Sequence, residues 1–97
     1  MDITPEELQE RLAKGEALHI VDVREPFEYE DDNLEGILIP LGNIGDRWEE
    51  LAELKEAEII IHCRSGRRSE TAQKFLQSKG FANVRNLIGG IEAYRSL

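Results

Sequence analysis

The sequence predicts an α/β domain with a mainly parallel sheet of about five strands, flanked by helices and joined by right-handed crossovers. Apolar, β-branched runs alternate along the chain with segments whose apolar residues recur at helical spacing. The run Ile59-Ile60-Ile61 shows no polar alternation, as expected of a strand covered on both faces. With 97 residues and a 40% apolar fraction, the chain suits one domain over residues 1–97 with a modest core, and is too short for two.

Taken in order, Asp2-Ile3 reads as a very short edge strand. Thr4-Pro5-Glu6-Glu7 follows with an N-cap, a proline at the first helical position and a capping-box glutamate three residues after the cap. Leu8 and Leu12 lie one turn apart, and Lys14-Gly15 closes that helix. Ala17 to Arg24 reads as a strand ending in Asp22-Val23-Arg24, with His19 packed or facing the surface. Asp22 and Arg24 stand where they either face a pocket or tie neighbouring loops by ion pairs. The second is favoured, because a carboxylate beside a reactive thiolate would raise its pKa. Glu25-Pro26 opens a short helix, and the acidic run Glu28 to Asp32 reads as its solvated end rather than a metal site.

Asn33 to Pro40 supplies a third strand, Leu41 to Gly45 a turn, and Asp46 to Leu54 an amphipathic helix with Trp48, Leu51 and Leu54 inward. Trp48 belongs to the core or, alternatively, to a pocket mouth. Glu58 to Ile61 forms the central strand. From about Gly66 the chain turns helical, with Ala72, Phe75 and Leu76 apolar and Gly80 as the stop. A last strand ends near Leu87, and Gly89-Gly90 permits a tight strand-to-helix turn with close backbone approach.

The chemistry concentrates where the central strand meets its helix, at Cys63-Arg64-Ser65-Gly66-Arg67-Arg68-Ser69. Ligands of parallel α/β sheets bind at the carboxyl ends of strands. Unpaired N–H groups of a first helical turn, the helix dipole and the charges of Arg64, Arg67 and Arg68 would each favour thiolate over thiol. The same donors would cradle an anion. The alternative is a buried, inert cysteine with arginines that only solvate a loop, which three arginines in five residues disfavour.

This loop resembles the active-site loop of rhodaneses, the single-domain thiosulfate sulfurtransferases, whose six-residue loop begins with the nucleophilic cysteine. Asp22-Val23-Arg24 before Glu25-Pro26, the segment Gly80-Phe81-Ala82-Asn83-Val84, and Gly89-Gly90-Ile91-Glu92-Ala93-Tyr94 are similar to further rhodanese motifs, so the resemblance covers nearly the whole chain. Asn33 stands where that family commonly has histidine, Glu35-Gly36-Ile37 replaces a small-residue turn, and Tyr94 replaces tryptophan. Tyrosine phosphatases also carry His-Cys, but place five residues before their arginine. Here four separate Cys63 from Arg68, a smaller cradle that disfavours phosphate.

The resemblance implies a Cys63 nucleophile, a donor site of Arg64, Ser65, Gly66, Arg67 and Arg68, and a persulfide intermediate. It implies no cofactor, an anionic sulfur donor such as thiosulfate, and a thiophilic acceptor: cyanide, a thiol or a carrier protein. A sulfur-relay or regulatory module with weak free turnover is the other reading it allows. Which arginine points inward is not legible from the sequence.

Composition agrees. The net charge is -8, and the loop holds three arginines and no acid, leaving -11 on the remainder. A globally acidic chain with one cationic spot disfavours nucleic acid and favours a small anion. One cysteine excludes an internal disulfide and, with two separated histidines, argues against a zinc site. A free reactive thiol without signal peptide or long apolar run suits the cytoplasm and no membrane.

Overall fold

The computed structural model describes residues 1–97. Strands His19–Asp22 (β1), Ile37–Leu38 (β2), Glu58–His62 (β3) and Asn83–Asn86 (β4) form one parallel sheet in the order β2-β1-β3-β4. Helices Pro5–Ala13 (α1), Pro26–Asp31 (α2), Ile44–Arg47 (α3), Arg67–Ser78 (α4) and Gly90–Arg95 (α5) connect and cover it. None is long and apolar enough to cross a membrane.

Alternation along the strands divides the core in two. Val21, Ile59, Ile61 and Val84 face one side and pack with Ile44, Leu51, Ala72, Leu76 and Phe81. Ile20 and Ile60 face the other and pack with Ile3, Leu8 and Leu87. Because Ile20 pairs with Ile60 and Val21 with Ile61, the two central strands bury side chains on both faces, as the isoleucine run implied.

The sheet has four strands rather than about five. The N-terminal segment contributes only the bridge Ile3 to Leu87, because Thr4 immediately caps α1 by accepting from Glu7 N–H at 3.1 Å, and Pro5 has no N–H to offer a ladder. The stretch Asn33 to Pro40 is mostly turn. Asn33 accepts from Glu35 N–H at 2.8 Å and donates to the Tyr29 carbonyl at 2.9 Å, which leaves only Ile37–Leu38 paired as strand. Glu35 there has φ 60, and Gly36 lies so close to β1 that a Cβ would stand 2.7 Å from the Ile20 carbonyl oxygen.

Asp46 to Leu54 is likewise not one amphipathic α-helix. A single α turn, α3, leads into a 3-10 helix over Trp48–Leu54. Trp48, Leu51 and Leu54 recur every three residues, the period at which 3-10 side chains line up, and all three pack on the core. Trp48 meets Phe81 edge to face at 6.3 Å.

At the amino ends of the strands, Glu58 accepts from Arg11 at 2.7 and 2.8 Å and from Arg85 at 2.9 Å, and Arg85 also holds Glu7. The Arg11 hydrogen bonds are the main cause that brings the Glu58 carboxyl from 4.5 down to about 2. A carboxylate depressed by folding stabilises the fold above its unfolded value and loses that contribution as pH falls through the folded value. Thermal stability is therefore expected to decline between pH 4.5 and about 2. Glu58→Gln is expected to cost about 1–2 kcal/mol at neutral pH and to flatten part of this decline. An unchanged acid limb in thermal melts of the variant would contradict that role.

Candidate active site

Cys63 follows the carboxyl end of β3, and the chain from Arg64 to Gly66 curls around its sulfur before α4 begins at Arg67. The curl is possible because Gly66 has φ 105, a conformation that side-chain-bearing residues avoid. It is held from outside by α5. Ile91 N–H donates to the Cys63 carbonyl at 2.9 Å and Glu92 N–H to the Arg64 carbonyl at 3.1 Å. With the carbonyls turned outward, the loop amides turn inward.

Gly66 N–H donates to Cys63 Sγ at 3.1 Å, and the Ser69 hydroxyl lies 3.4 Å from it. Burial pushes the Cys63 thiol up. The Ser69 hydroxyl and the N–H groups of Ser69, Gly66 and Ser65 outweigh that burial and bring the thiol below its ordinary value. The sequence assigned this effect partly to arginine charge, but hydrogen-bond donors come first.

Two of the three loop arginines are engaged elsewhere. Arg68 makes a bidentate pair with Glu28 of α2 at 2.7 and 2.9 Å, and Arg64 reaches Glu92 at 3.1 Å on an exposed surface. Arg67 is exposed and makes no ion pair within 4.0 Å. The run Glu28 to Asp32 is thus not simply a solvated helix end. Glu28 is the partner of Arg68, whose hydrogen bonds bring its carboxyl down to about 2, and Asp32 holds Arg95 at 2.8 Å. Arg64, Arg68 and Arg24 share the walls of an open cleft of about 750 Å³ with Glu28, Phe27 and Ile91.

Asp22 and Arg24 tie loops together, the structural alternative. Their side chains pair at 2.8 Å in full burial, and Arg24 extends to the Asp32 carbonyl at 2.7 Å. His62 is buried between β-strand neighbours, with Nε2 lacking a hydrogen-bond partner 3.7 Å from Asp22. Burial pushes its pKa down and keeps it neutral. His19 faces solvent.

Two site residues were missed by the sequence reading. Ser69 and Asn86 are buried and joined at 2.6 Å, and Asn86 also donates to the Gly66 carbonyl at 3.0 Å. Ser69 had a signal: with Ala72, Gln73 and Leu76 it completes the buried stripe of α4 at helical spacing. Asn86 had none.

Known proteins are similar to this chain in sequence and in fold. A Staphylococcus aureus rhodanese-like domain protein of known structure superposes with a TM-score of 0.86 at 30% identity, over 97% of this chain and 91% of that one. A "Sulfurtransferase" of Allochromatium vinosum is 36% identical over 94 residues, covering 96% of this chain and 86% of that protein. The Bacillus subtilis "Putative sulfur carrier protein YrkF" is 41% identical over 91 residues, 93% of this chain but 48% of its own length, so the chain spans about half of that relative. The family described as Rhodanese-like domain matches residues 4–97. A parallel sheet with a cysteine loop at the end of its central strand, closed by a glycine-paired helix, and this match over nearly the full length together place the chain in the rhodanese-like domain family.

Proposed function

We propose that this domain moves a sulfane sulfur from thiosulfate, or a similar anionic donor, to a thiophilic acceptor through a persulfide on Cys63. The observation that carries the reading is the Gly66 N–H on Cys63 Sγ at 3.1 Å, with the Ser65 and Ser69 amides acting on the same atom. Cys63 thiolate attacks the outer sulfur of thiosulfate, the sulfur–sulfur bond breaks, and sulfite leaves with the bonding pair. The persulfide anion then occupies the ring of inward amides, which stabilise sulfur charge as an oxyanion hole stabilises oxygen. Attack by cyanide or a thiol on the outer sulfur returns the thiolate. No cofactor is required.

Arg64, Ser65, Gly66, Arg67 and Arg68 form the proposed donor site, with unequal weights. Arg68 is neutralised by Glu28 and Arg64 is weakly held in solvent, so Arg67, which lies outside the cleft walls, is the loop cation with no ion pair to give up to a dianion. Arg67→Ala is expected to raise the KM for thiosulfate about fivefold to tenfold, with Arg64→Ala smaller. Alkylation of Cys63 by a neutral reagent should change less than about twofold. Equal losses with both reagents would assign Arg67 to tuning the thiol instead of binding the donor.

A second reading, a sulfur-relay module discharged by a protein partner, draws support from the name of the Bacillus subtilis relative and from the lack of a second cysteine to resolve the persulfide. Glu25 and Asp31 are exposed at the cleft and make no ion pair, and they would meet a basic carrier.

A further inference from the structure

Ser69 has one hydroxyl proton and two claimants for it. Its Oγ lies 2.6 Å from Asn86 Oδ1 and 3.4 Å from Cys63 Sγ. The Asn86 amide cannot be turned over, because its other end faces the Gly66 carbonyl oxygen at 3.0 Å, which only accepts. Nδ2 therefore belongs at Gly66 and Oδ1 at Ser69. Oδ1 also only accepts, so Ser69 donates to Asn86 and presents a lone pair to the sulfur. In that arrangement the hydroxyl accepts from a Cys63 S–H, and it can favour the thiolate, as described above, only by turning from Asn86 to the sulfur. Cys63 is 1% exposed, Ser69 0% and Asn86 6%, so each lost partner carries a high cost.

We propose that the Ser69 hydroxyl is a two-position proton switch positioned by Asn86: it rests on Asn86 while Cys63 Sγ is protonated or bears an outer sulfur, and rotates onto Sγ when that atom is a bare thiolate. Only the hydroxyl torsion changes; no covalent bond forms or breaks. In the thiolate state Asn86 Oδ1 loses its partner, so Asn86 works against the resting thiolate. Once the persulfide forms, the charge sits on the outer sulfur and the hydroxyl returns to Asn86. Asn86 thereby biases the site toward the loaded form. The catalytic meaning depends on Cys63 being the reacting thiol, whereas the switch itself is a property of its titration.

The charged surroundings are common to every variant below. Arg68 is paired with Glu28 of α2, Arg64 with Glu92 of α5, His62 of β3 is neutral, and Asp2 accepts from Asn86 N–H and from Gln73.

The test follows the ultraviolet absorbance of the Cys63 thiolate against pH, with Cys63→Ser as the blank. It compares the unmodified chain, Asn86→Ala, Ser69→Ala and the double variant. Asn86→Ala is expected to lower the midpoint by about half to one pH unit, the worth of one hydrogen bond. Ser69→Ala alone should move it by less than about half a unit, and the Asn86 effect should vanish in the Ser69→Ala background, which a merely structural role would not produce. The switch is overturned if Asn86→Ala leaves or raises the midpoint, or lowers it equally without Ser69. It is also overturned if Ser69→Ala alone raises the midpoint by half a unit or more. Should Asn86→Ala fail to fold, that last comparison decides. No sulfur donor takes part, so failure of the sulfurtransferase reading would appear separately, as a normal cycle in a protein that acquires no sulfur.

Discussion

Cys63→Ser is expected to abolish thiosulfate-dependent conversion of cyanide to thiocyanate, a loss of about four orders of magnitude or more that leaves only background. The chain has one thiol, and no other side chain in it can accept a sulfane sulfur and release it again. Serine fits the same loop, since its oxygen can take the Gly66 N–H that now reaches Sγ at 3.1 Å, so the variant should fold and melt close to the unmodified chain. Turnover that survives in a folded Cys63→Ser protein would remove the persulfide from the mechanism.

Gly90→Ala is expected to be the most damaging change that touches no reacting atom. Gly90 has φ 65, and a Cβ there would overlap the Arg64 carbonyl and stand 2.6 Å from the Cys63 carbonyl oxygen. Those are the carbonyls that α5 holds outward so that the loop amides face the sulfur. The backbone cannot yield without releasing them, so a destabilisation of about 3 kcal/mol or more should accompany it. In whatever fraction still folds, kcat should fall about 100-fold through misplacement of the amide ring. Gly45→Ala provides the control, because nothing lies within 4 Å of its added Cβ and it sits in a helical turn. A Gly90→Ala protein that melts and turns over like Gly45→Ala would show that α5 does not set the loop.

Features carried by neighbouring residues were legible in the sequence. Thr4-Pro5 marked the start of α1, the isoleucine run marked a central strand buried on both faces, and the turn to helix near Gly66 marked the start of α4. Errors arose where a local pattern had two solutions. The spacing of Trp48, Leu51 and Leu54 satisfies a 3-10 helix better than an α-helix, and Asn33 to Gly36 has enough apolar neighbours to pass for strand while its asparagine builds a turn. Pairings over long separation left no trace. Glu28 and Arg68 lie 40 positions apart, and Ser69 and Asn86 lie 17 apart on different elements. Their partnerships decide which loop arginine is free and where the hydroxyl proton rests, so the electrostatics of the site became readable only with the fold.

The most direct measurement of the central claim is the intact mass of the protein after incubation with thiosulfate, followed by addition of cyanide. The proposed mechanism predicts a gain of one sulfur atom on the unmodified chain, none on Cys63→Ser, and return to the starting mass when cyanide is added. An adduct that cyanide leaves in place and only a carrier protein discharges would select the relay reading. An unmodified chain whose mass does not change, although its thiol is free and reacts with an alkylating reagent, would contradict the assignment of Cys63 as a sulfur-accepting nucleophile.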